Sequence, residues 1–188
     1  MKRVILIGDS IRLGYEPTVR RLLADAADVW APEENVEDSA TLRRRLEDWV
    51  LCRPVDVVHL NCGLHDLKRN PPAGELQVPL AQYRQNLEDI FRRVRATGAR
   101  LLWASITPVD DARHQAAKPF ARHQADVLAF NAAAAEIAQR FGLPVDDLHA
   151  TVQQAGPASI LQPDGVHYTA PGSQRLGEAV AAFIRRHL

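Results

Sequence analysis

The sequence predicts an α/β protein whose parallel sheet is covered by helices on both faces. Three apolar runs carry that reading: "RVILIG" (Arg3 to Gly8), "VDVVHLNCG" (Val55 to Gly63) and "RLLWASITP" (Arg100 to Pro108). They are continuously aliphatic and β-branched rather than strictly alternating, as strands buried on both sides must be. Helical patterns separate them, and regular alternation of strand and helix implies right-handed crossovers and a parallel sheet.

The elements follow in order. After the first strand, the loop "GDSIRLGY" leads to a helical pattern over roughly 18–27. A weaker strand, "DVWAP" (Asp28 to Pro32), is followed by "PEENVEDS" and a helix over 40–51. The strand from Val55 ends in "NCGLHDLK". The clearest helix is "PLAQYRQNLEDIFRRVRATG", in which Leu80, Tyr83, Leu87, Ile90 and Val94 form one apolar stripe and Gly98 is a natural stop. Beyond the strand from Arg100, residues from Val109 to about Lys118 show no firm strand or helix. A helix over 121–141, a weak strand "LPVDDLH" (Leu143 to His149) and a terminal helix over 171–188 complete the chain. No repeat, low-complexity tract or linker divides its 188 residues, so 1–188 is read as one domain with a sizeable core.

With 46% hydrophobic and 24% charged residues the chain has the composition of a globular protein. Lys+Arg and Asp+Glu are both 23, so no overall field favours nucleic acid or an anionic membrane. The first apolar run is too short to span a bilayer and lacks the features of a signal peptide, which makes a cytoplasmic location the expectation. Cys52 and Cys62 form neither a CxxC pair nor a disulfide framework and are read as reduced, buried thiols. No HExxH or Cys/His cluster has zinc spacing, so metal catalysis is not expected.

In sheets of this kind ligands bind beyond the carboxyl ends of the strands, where the strand order reverses. "GDSIRLG" lacks GxGxxG spacing and no GxxxxGK[ST] occurs, which removes dinucleotide and P-loop sites; Asp9 would oppose a flavodoxin-like phosphate loop. Ser10, at the top of the first strand, is either a helix N-cap or a nucleophile with a helix N-terminus behind it. A base is available in "PDGVHYTAPGSQRLG". Asp164 stands three residues before His167, close enough to fold back on the imidazole, fix its tautomer and leave the other nitrogen for the Ser10 proton. Standing alone, Asp164 would equally serve as a turn residue holding backbone amides. His65, after Gly63 in "NCGLHD", is either a loop histidine or an oxyanion donor pointing across the sheet edge.

Together, "GDSI", "GLHD" and "DGVH" resemble, in this order, the blocks of the SGNH (GDSL-type) hydrolases, a family of esterases and lipases. The similarity runs from residue 4 to about 185, with "SITP" and "PGSQRLGEAVAAFI" also in place. It implies a flavodoxin-like three-layer α/β/α sandwich with a five-stranded parallel sheet in the order 2-1-3-4-5, and no metal or organic cofactor. By position, Ser10 is similar to the family's nucleophile, His167 to its base and Asp164 to the orienting acid. The family's oxyanion hole uses the nucleophile's N–H, a glycine N–H in the second block and an asparagine amide in the third. Counting back from Ser39 puts Val36 at the glycine, with Glu37 as the neighbouring alternative, and His65 replaces the asparagine. An imidazole offers one N–H when neutral and two when protonated.

Arg12, two residues after Ser10, can hold a substrate carboxylate or sugar hydroxyl, or simply pair with Glu16. Asn35, beside Glu33 and Glu34, and Arg122 are further candidates to contact substrate. Arg113, His114 and His123 share Arg122's segment and its two readings, selecting substrate or being merely solvated. His59 is read as a core histidine. The expected activity is hydrolysis of small, short-acyl esters, acetyl-carbohydrates among them, with a small-molecule ester as the partner and no nucleic acid or membrane. The alternative is a catalytically impaired binding module on the same fold, favoured by the departures at Val36 and His65.

Overall fold

The structure, a computed structural model, describes all residues, 1–188. At its centre β1 (Lys2–Ile7) pairs in parallel with β2 (Ala27–Trp30) on one side and β3 (Val57–Leu60) on the other. Beyond β3, the sheet continues through β6 (Arg100–Ala104) to β7 (Val145–Asp146), and the antiparallel hairpin β4 (Arg69–Asn70) and β5 (Glu75–Leu76) stands outside it. The order β2-β1-β3-β6-β7 becomes 2-1-3-4-5 once that hairpin is left out. Side chains of Val4 to Ile7 and Val57 to Leu60 are buried, because helices cover both faces. On one face α1 (Ser10–Leu23) packs on α8 (Ala170–Arg185); on the other α3 (Leu80–Ala96) packs between α2 (Ser39–Leu46) and α5 (Gln124–Phe141). One continuous hydrophobic core fills the space between the layers.

The strand order reverses between β1 and β3, and the register brings their ends level. Ile7 lies opposite Leu60, and the Asn61 N–H donates to the Ile7 carbonyl at 2.9 Å. The loops that follow, "GDS" and "NCGLH", therefore leave the sheet side by side. Gly63 turns the second of them with a φ of 136°, and a Cβ there would lie 2.3 Å from Ile106 Cδ1. No other residue fits both the angle and the space.

A buried polar knot fixes the same loop from below. Asp66 accepts from the Ser39 N–H, at 3.0 Å to Oδ2, and from the Ser39 hydroxyl, which in turn accepts from Asn86 Nδ2 at 2.9 Å. It ties α2, α3 and the β3 loop together one residue from His65.

Several boundaries differ from the sequence reading. α1 begins at Ser10 rather than Thr18, because Asp9 caps it by accepting from the Ile11 N–H at 2.9 Å. Pro17 is accommodated inside α1. The hydrogen bond it forgoes would have ended at Leu13, on the exposed side where water can hydrate the carbonyl. The stretch after Val109 is not irregular: Asp110 accepts from the Arg113 N–H and caps α4 (Asp111–Ala117). α2 gives way to a π-helical turn over Glu47–Leu51. β7 is only two residues long, and two short helices, α6 (Leu148–Ala155) and α7 (Pro157–Ile160), precede α8. Of the cysteines, Cys62 is buried but Cys52 is exposed.

Burial pushes the Asp66 carboxyl up to about 7, against the hydrogen bonds from Ser39 that favour its charge. Its folded-state pKa thus lies above the unfolded one, so this group contributes stability that is complete below pH 4 and is lost as pH rises through 7. Asp66→Asn removes that dependence. Thermal denaturation between pH 4 and 8 is expected to show the native protein losing ground to the variant as pH rises; parallel curves would contradict the assignment.

Candidate active site

The site is assembled from two chain ends. Ser10 is the first residue of α1, and because Asp9 takes the capping role, the Ser10 hydroxyl is left free. Its Oγ lies 2.8 Å from His167 Nε2. His167 Nδ1 lies 2.5 Å from Asp164 Oδ2. The other carboxylate oxygen of Asp164 accepts from the N–H groups of Val166 (3.1 Å) and His167 (3.0 Å). Asp164 therefore fills both roles its spacing allowed: it folds the turn with one oxygen and meets the imidazole with the other.

Partial burial raises the Asp164 carboxyl, but the His167 side chain and the two backbone N–H groups outweigh it, and the pKa falls to about 2. A permanent carboxylate holds the proton on Nδ1 and presents Nε2 as an acceptor to the Ser10 hydroxyl. Two contacts from β6's side brace this turn. The Asp110 N–H donates to the Gly165 carbonyl at 2.8 Å, and buried His114 places Nδ1 3.3 Å from the Asp164 carbonyl. Nothing in the sequence signalled that role for His114.

At the other side of the switch point, His65 is partly buried and makes no side-chain hydrogen bond. Burial lowers its pKa and the Arg122 cation lowers it further; the charges of Asp9, Glu37 and Asp38 offset this only in part. Near neutral pH His65 is an uncharged imidazole with a single N–H to offer.

The second-block donor is absent from Val36. Its side chain is fully buried and its N–H donates to the Gly8 carbonyl at 3.4 Å, turned to the strand end. Glu37, one residue on, is the non-glycine residue with a positive φ, 62°. The glycine-like position therefore falls on the alternative alignment. A glutamate there is strained by about 1 kcal/mol or more relative to glycine. Asn35 compensates by accepting from the Glu37 N–H at 2.8 Å, so its side chain is spent on the loop.

Arg12 also departs from the substrate role. It is 1% exposed, pairs with Glu16 and donates to the Glu34 carbonyl at 2.8 Å. The i, i+4 pairing prevailed because the guanidinium is enclosed with its partner under the second loop. Arg122 is placed differently: its Nε donates to the Leu64 carbonyl at 2.7 Å, directly before His65. Arg113 and His123 pair with Asp110 and Asp111. His59 is buried in β3 with Nε2 3.0 Å from Asp146 Oδ2, as a core histidine should be. Beside Ser10 and His167 a cavity of about 270 Å³ opens between α1 and the turn before α8, lined also by Ile11, Gly14, Gln162, Tyr168 and Ser173. The last three escaped sequence reasoning because only the packing of α8 on α1 brings them to Ser10.

A hydroxyl, an imidazole and a carboxylate stand in series at the carboxyl edge of a parallel sandwich, the order of groups that serine hydrolases use. The chain belongs to the GDSL-like Lipase/Acylhydrolase family, whose model matches residues 6–175. Among solved structures it is similar to a lipase/acylhydrolase from Enterococcus faecalis, with a TM-score of 0.85 and 24% identity over 100% of this chain and 97% of that one. It is similar also to Axe2, an acetylxylan esterase from Geobacillus stearothermophilus, with a TM-score of 0.82 and 18% identity over 97% and 94% of the two chains. A third likeness is to the esterase EstA from Pseudoalteromonas, solved inhibited by monoethylphosphonate, with a TM-score of 0.75 and 14% identity over 100% and 98%. A comparison with curated proteins finds no match. No helix of the chain is long and apolar enough to cross a membrane.

Arg12→Met removes one of the two arginines that hold Glu16, whose other oxygen stays paired with Arg20 at 2.7 Å, and also the donor to the Glu34 carbonyl. Because Arg12 itself is buried, the variant is expected to lose about 1 to 2 kcal/mol in chemical denaturation, from the lost charge-assisted hydrogen bonds. A loss below about 0.5 kcal/mol, the size of an exposed pair, would show that the pair is solvated.

Proposed function

We propose that the protein is a serine esterase acting on small, short-acyl esters, with Ser10, His167 and Asp164 as its catalytic triad. The observation that carries this reading is the unbroken series Asp164 Oδ2, His167 Nδ1, His167 Nε2 and Ser10 Oγ, with contacts of 2.5 and 2.8 Å. Ser10 Oγ attacks the carbonyl carbon while its proton passes to His167 Nε2. The tetrahedral oxyanion meets the Ser10 N–H, which at the first turn of α1 has no intrahelical acceptor, and the ring N–H of His65. Collapse expels the alkoxide, which takes the proton from His167, and leaves an acyl-serine. Water, deprotonated by His167, then attacks the acyl carbon and releases the acid and Ser10.

A cavity of about 270 Å³ with mostly polar walls is at or below the lower end of small-molecule sites and suits an acetyl group better than a fatty chain. The likeness to an acetylxylan esterase supports acetyl-carbohydrates within that class. One observation favours the second reading, a binding module that has lost turnover: the Val36 N–H is occupied by the Gly8 carbonyl. A phosphonate ester distinguishes the two, since it labels a working nucleophile covalently. The esterase should take up one phosphonyl group per chain, lost in Ser10→Ala; an unlabelled native protein would support the binding module.

Rates on 4-nitrophenyl acetate, butyrate and octanoate are expected to fall in that order and to vanish in Ser10→Ala. An octanoate optimum would overturn the short-acyl reading. Removing one oxyanion donor elsewhere costs about 100-fold or more in kcat, so His65→Ala should lose on that order, while His65→Asn, which restores an amide N–H, should keep most of the rate. Because burial keeps His65 neutral, the pH–rate curve of His65→Asn should run parallel to the native one above pH 7; a slope that differs there would mean that His65 titrates in that range.

A further inference from the structure

Two arginines are buried in this protein, and they are treated differently. Arg12, 1% exposed, has the Glu16 carboxylate against it. Arg122, 5% exposed, has no carboxylate within ion-pair distance and a single hydrogen bond, from Nε to the Leu64 carbonyl. Its two terminal nitrogens donate to nothing in the protein, yet are not sealed from solvent. A buried charge without a partner costs several kcal/mol, which is why such groups are nearly always paired. Burial works against the Arg122 cation, and Asp9 and Asp164 act on it only from a distance. Asp164 is committed to His167, and Asp9 leaves one oxygen unpartnered rather than closing on the guanidinium.

The surroundings add positive charge. The Phe120 ring stands between Arg122, 5.1 Å from its centroid, and Lys68 Nζ at 4.4 Å, and Lys118 follows two residues before the ring. Neither lysine is ion-paired, in a chain whose charges balance overall and whose other arginines are mostly tied to carboxylates. Lys68 and Arg122 thus flank one aromatic ring, with Arg122, the buried one, nearer to His65 through its bond to the Leu64 carbonyl.

We infer that Arg122 is a substrate-binding residue that receives an anionic group, so that the preferred esters carry a carboxylate or comparable anion a few atoms from the scissile carbonyl. The inference rests on the esterase reading and names its substrate class. An incoming carboxylate can take both terminal N–H groups of the guanidinium in parallel, the geometry Arg offers and Lys does not. Lys68, on the other side of the Phe120 ring, would draw such an anion toward the site.

Matched esters test this on the intact protein, with acid release followed by titration. Monoethyl succinate against ethyl butyrate places a carboxylate on the acyl half; O-acetylglycolate against ethyl acetate places it on the alcohol half. At least one charged ester is expected to exceed its neutral partner by about tenfold or more in kcat/KM, a charge-assisted contact's worth. That ratio should collapse in Arg122→Gln and survive in part in Arg122→Lys. Should Arg122→Gln not fold, the native protein still decides: succinate should inhibit competitively and more weakly as salt rises, and butyramide should not. Equal rates on charged and neutral esters would overturn the inference. So would an equal loss on both in Arg122→Gln, which would place the guanidinium on the oxyanion instead. If no ester is hydrolysed and Ser10 takes no phosphonate, the esterase reading fails separately, and succinate binding measured by calorimetry still tests Arg122.

Discussion

The contact between Ser10 and His167 joins residues 157 apart in the chain, and neither end can hold the other unaided. What holds them is the packing of α8 on α1, the one beginning three residues after His167 and the other at Ser10 itself. Gly177 makes the approach possible: a Cβ there would fall 2.6 Å from Thr18 Cβ and 2.9 Å from the Tyr15 carbonyl. With the two axes drawn this close, the turn before α8 lands at the carboxyl end of β1. The loss of chain entropy on closing so long a loop is met by burying α1 and α8 against the sheet, and the short polar contacts at the site then need only fix the last ångström.

The same economy governs the rest of the edge. β1 and β3 end level because their register is set by the buried pairs Val4–Val57 and Ile7–Leu60, so the loop bearing His65 emerges beside Ser10 without further adjustment. Fine positioning falls to buried polar groups: Asp66 beneath His65, His114 behind Asp164, Arg12 under the second loop. Asp66 and Arg12 are satisfied by backbone or neighbouring side chains, as low-dielectric interiors require, whereas His114 makes one contact through Nδ1 and leaves Nε2 unpartnered. Substitution at any of them would be felt at the site through geometry rather than chemistry.

The sheet and its central helices were legible in the sequence because strands buried on both faces must be apolar throughout, and the stripe from Leu80 to Val94 admits no other reading. The order of Ser10, Asp164 and His167 was legible for a different reason, since each block pairs a reactive side chain with a glycine turn. What escaped was whatever depends on contacts distant in sequence. The first helix, expected from Thr18, starts instead at Ser10, because Asp9 caps it there. Arg12 and Arg122 are chemically alike as letters; only the fold shows that one is enclosed with Glu16 and the other with no acid. Val36 fitted the count from Ser39, but the left-handed backbone lies at Glu37, and no pattern of side chains reports a φ angle for a residue that ordinarily avoids it.

The departures from the family pattern become coherent once placed together. With the Val36 N–H turned to Gly8, the proposed oxyanion hole depends more heavily on His65, and an imidazole is a dependable donor only if its protonation state is fixed. Its partial burial and the adjacent Arg122 cation both press it toward the neutral form. A lowered pKa makes His65 a weaker base for the Ser10 proton than a free imidazole would be, and keeps it uncharged near neutral pH. On the proposed reading Arg122 would therefore act twice: through its field it holds His65 uncharged, and through its free N–H groups it gives the site a fixed positive charge that an asparagine-bearing edge would not need. On that reading the imidazole at residue 65 stays a neutral donor through its burial first and through the Arg122 cation second.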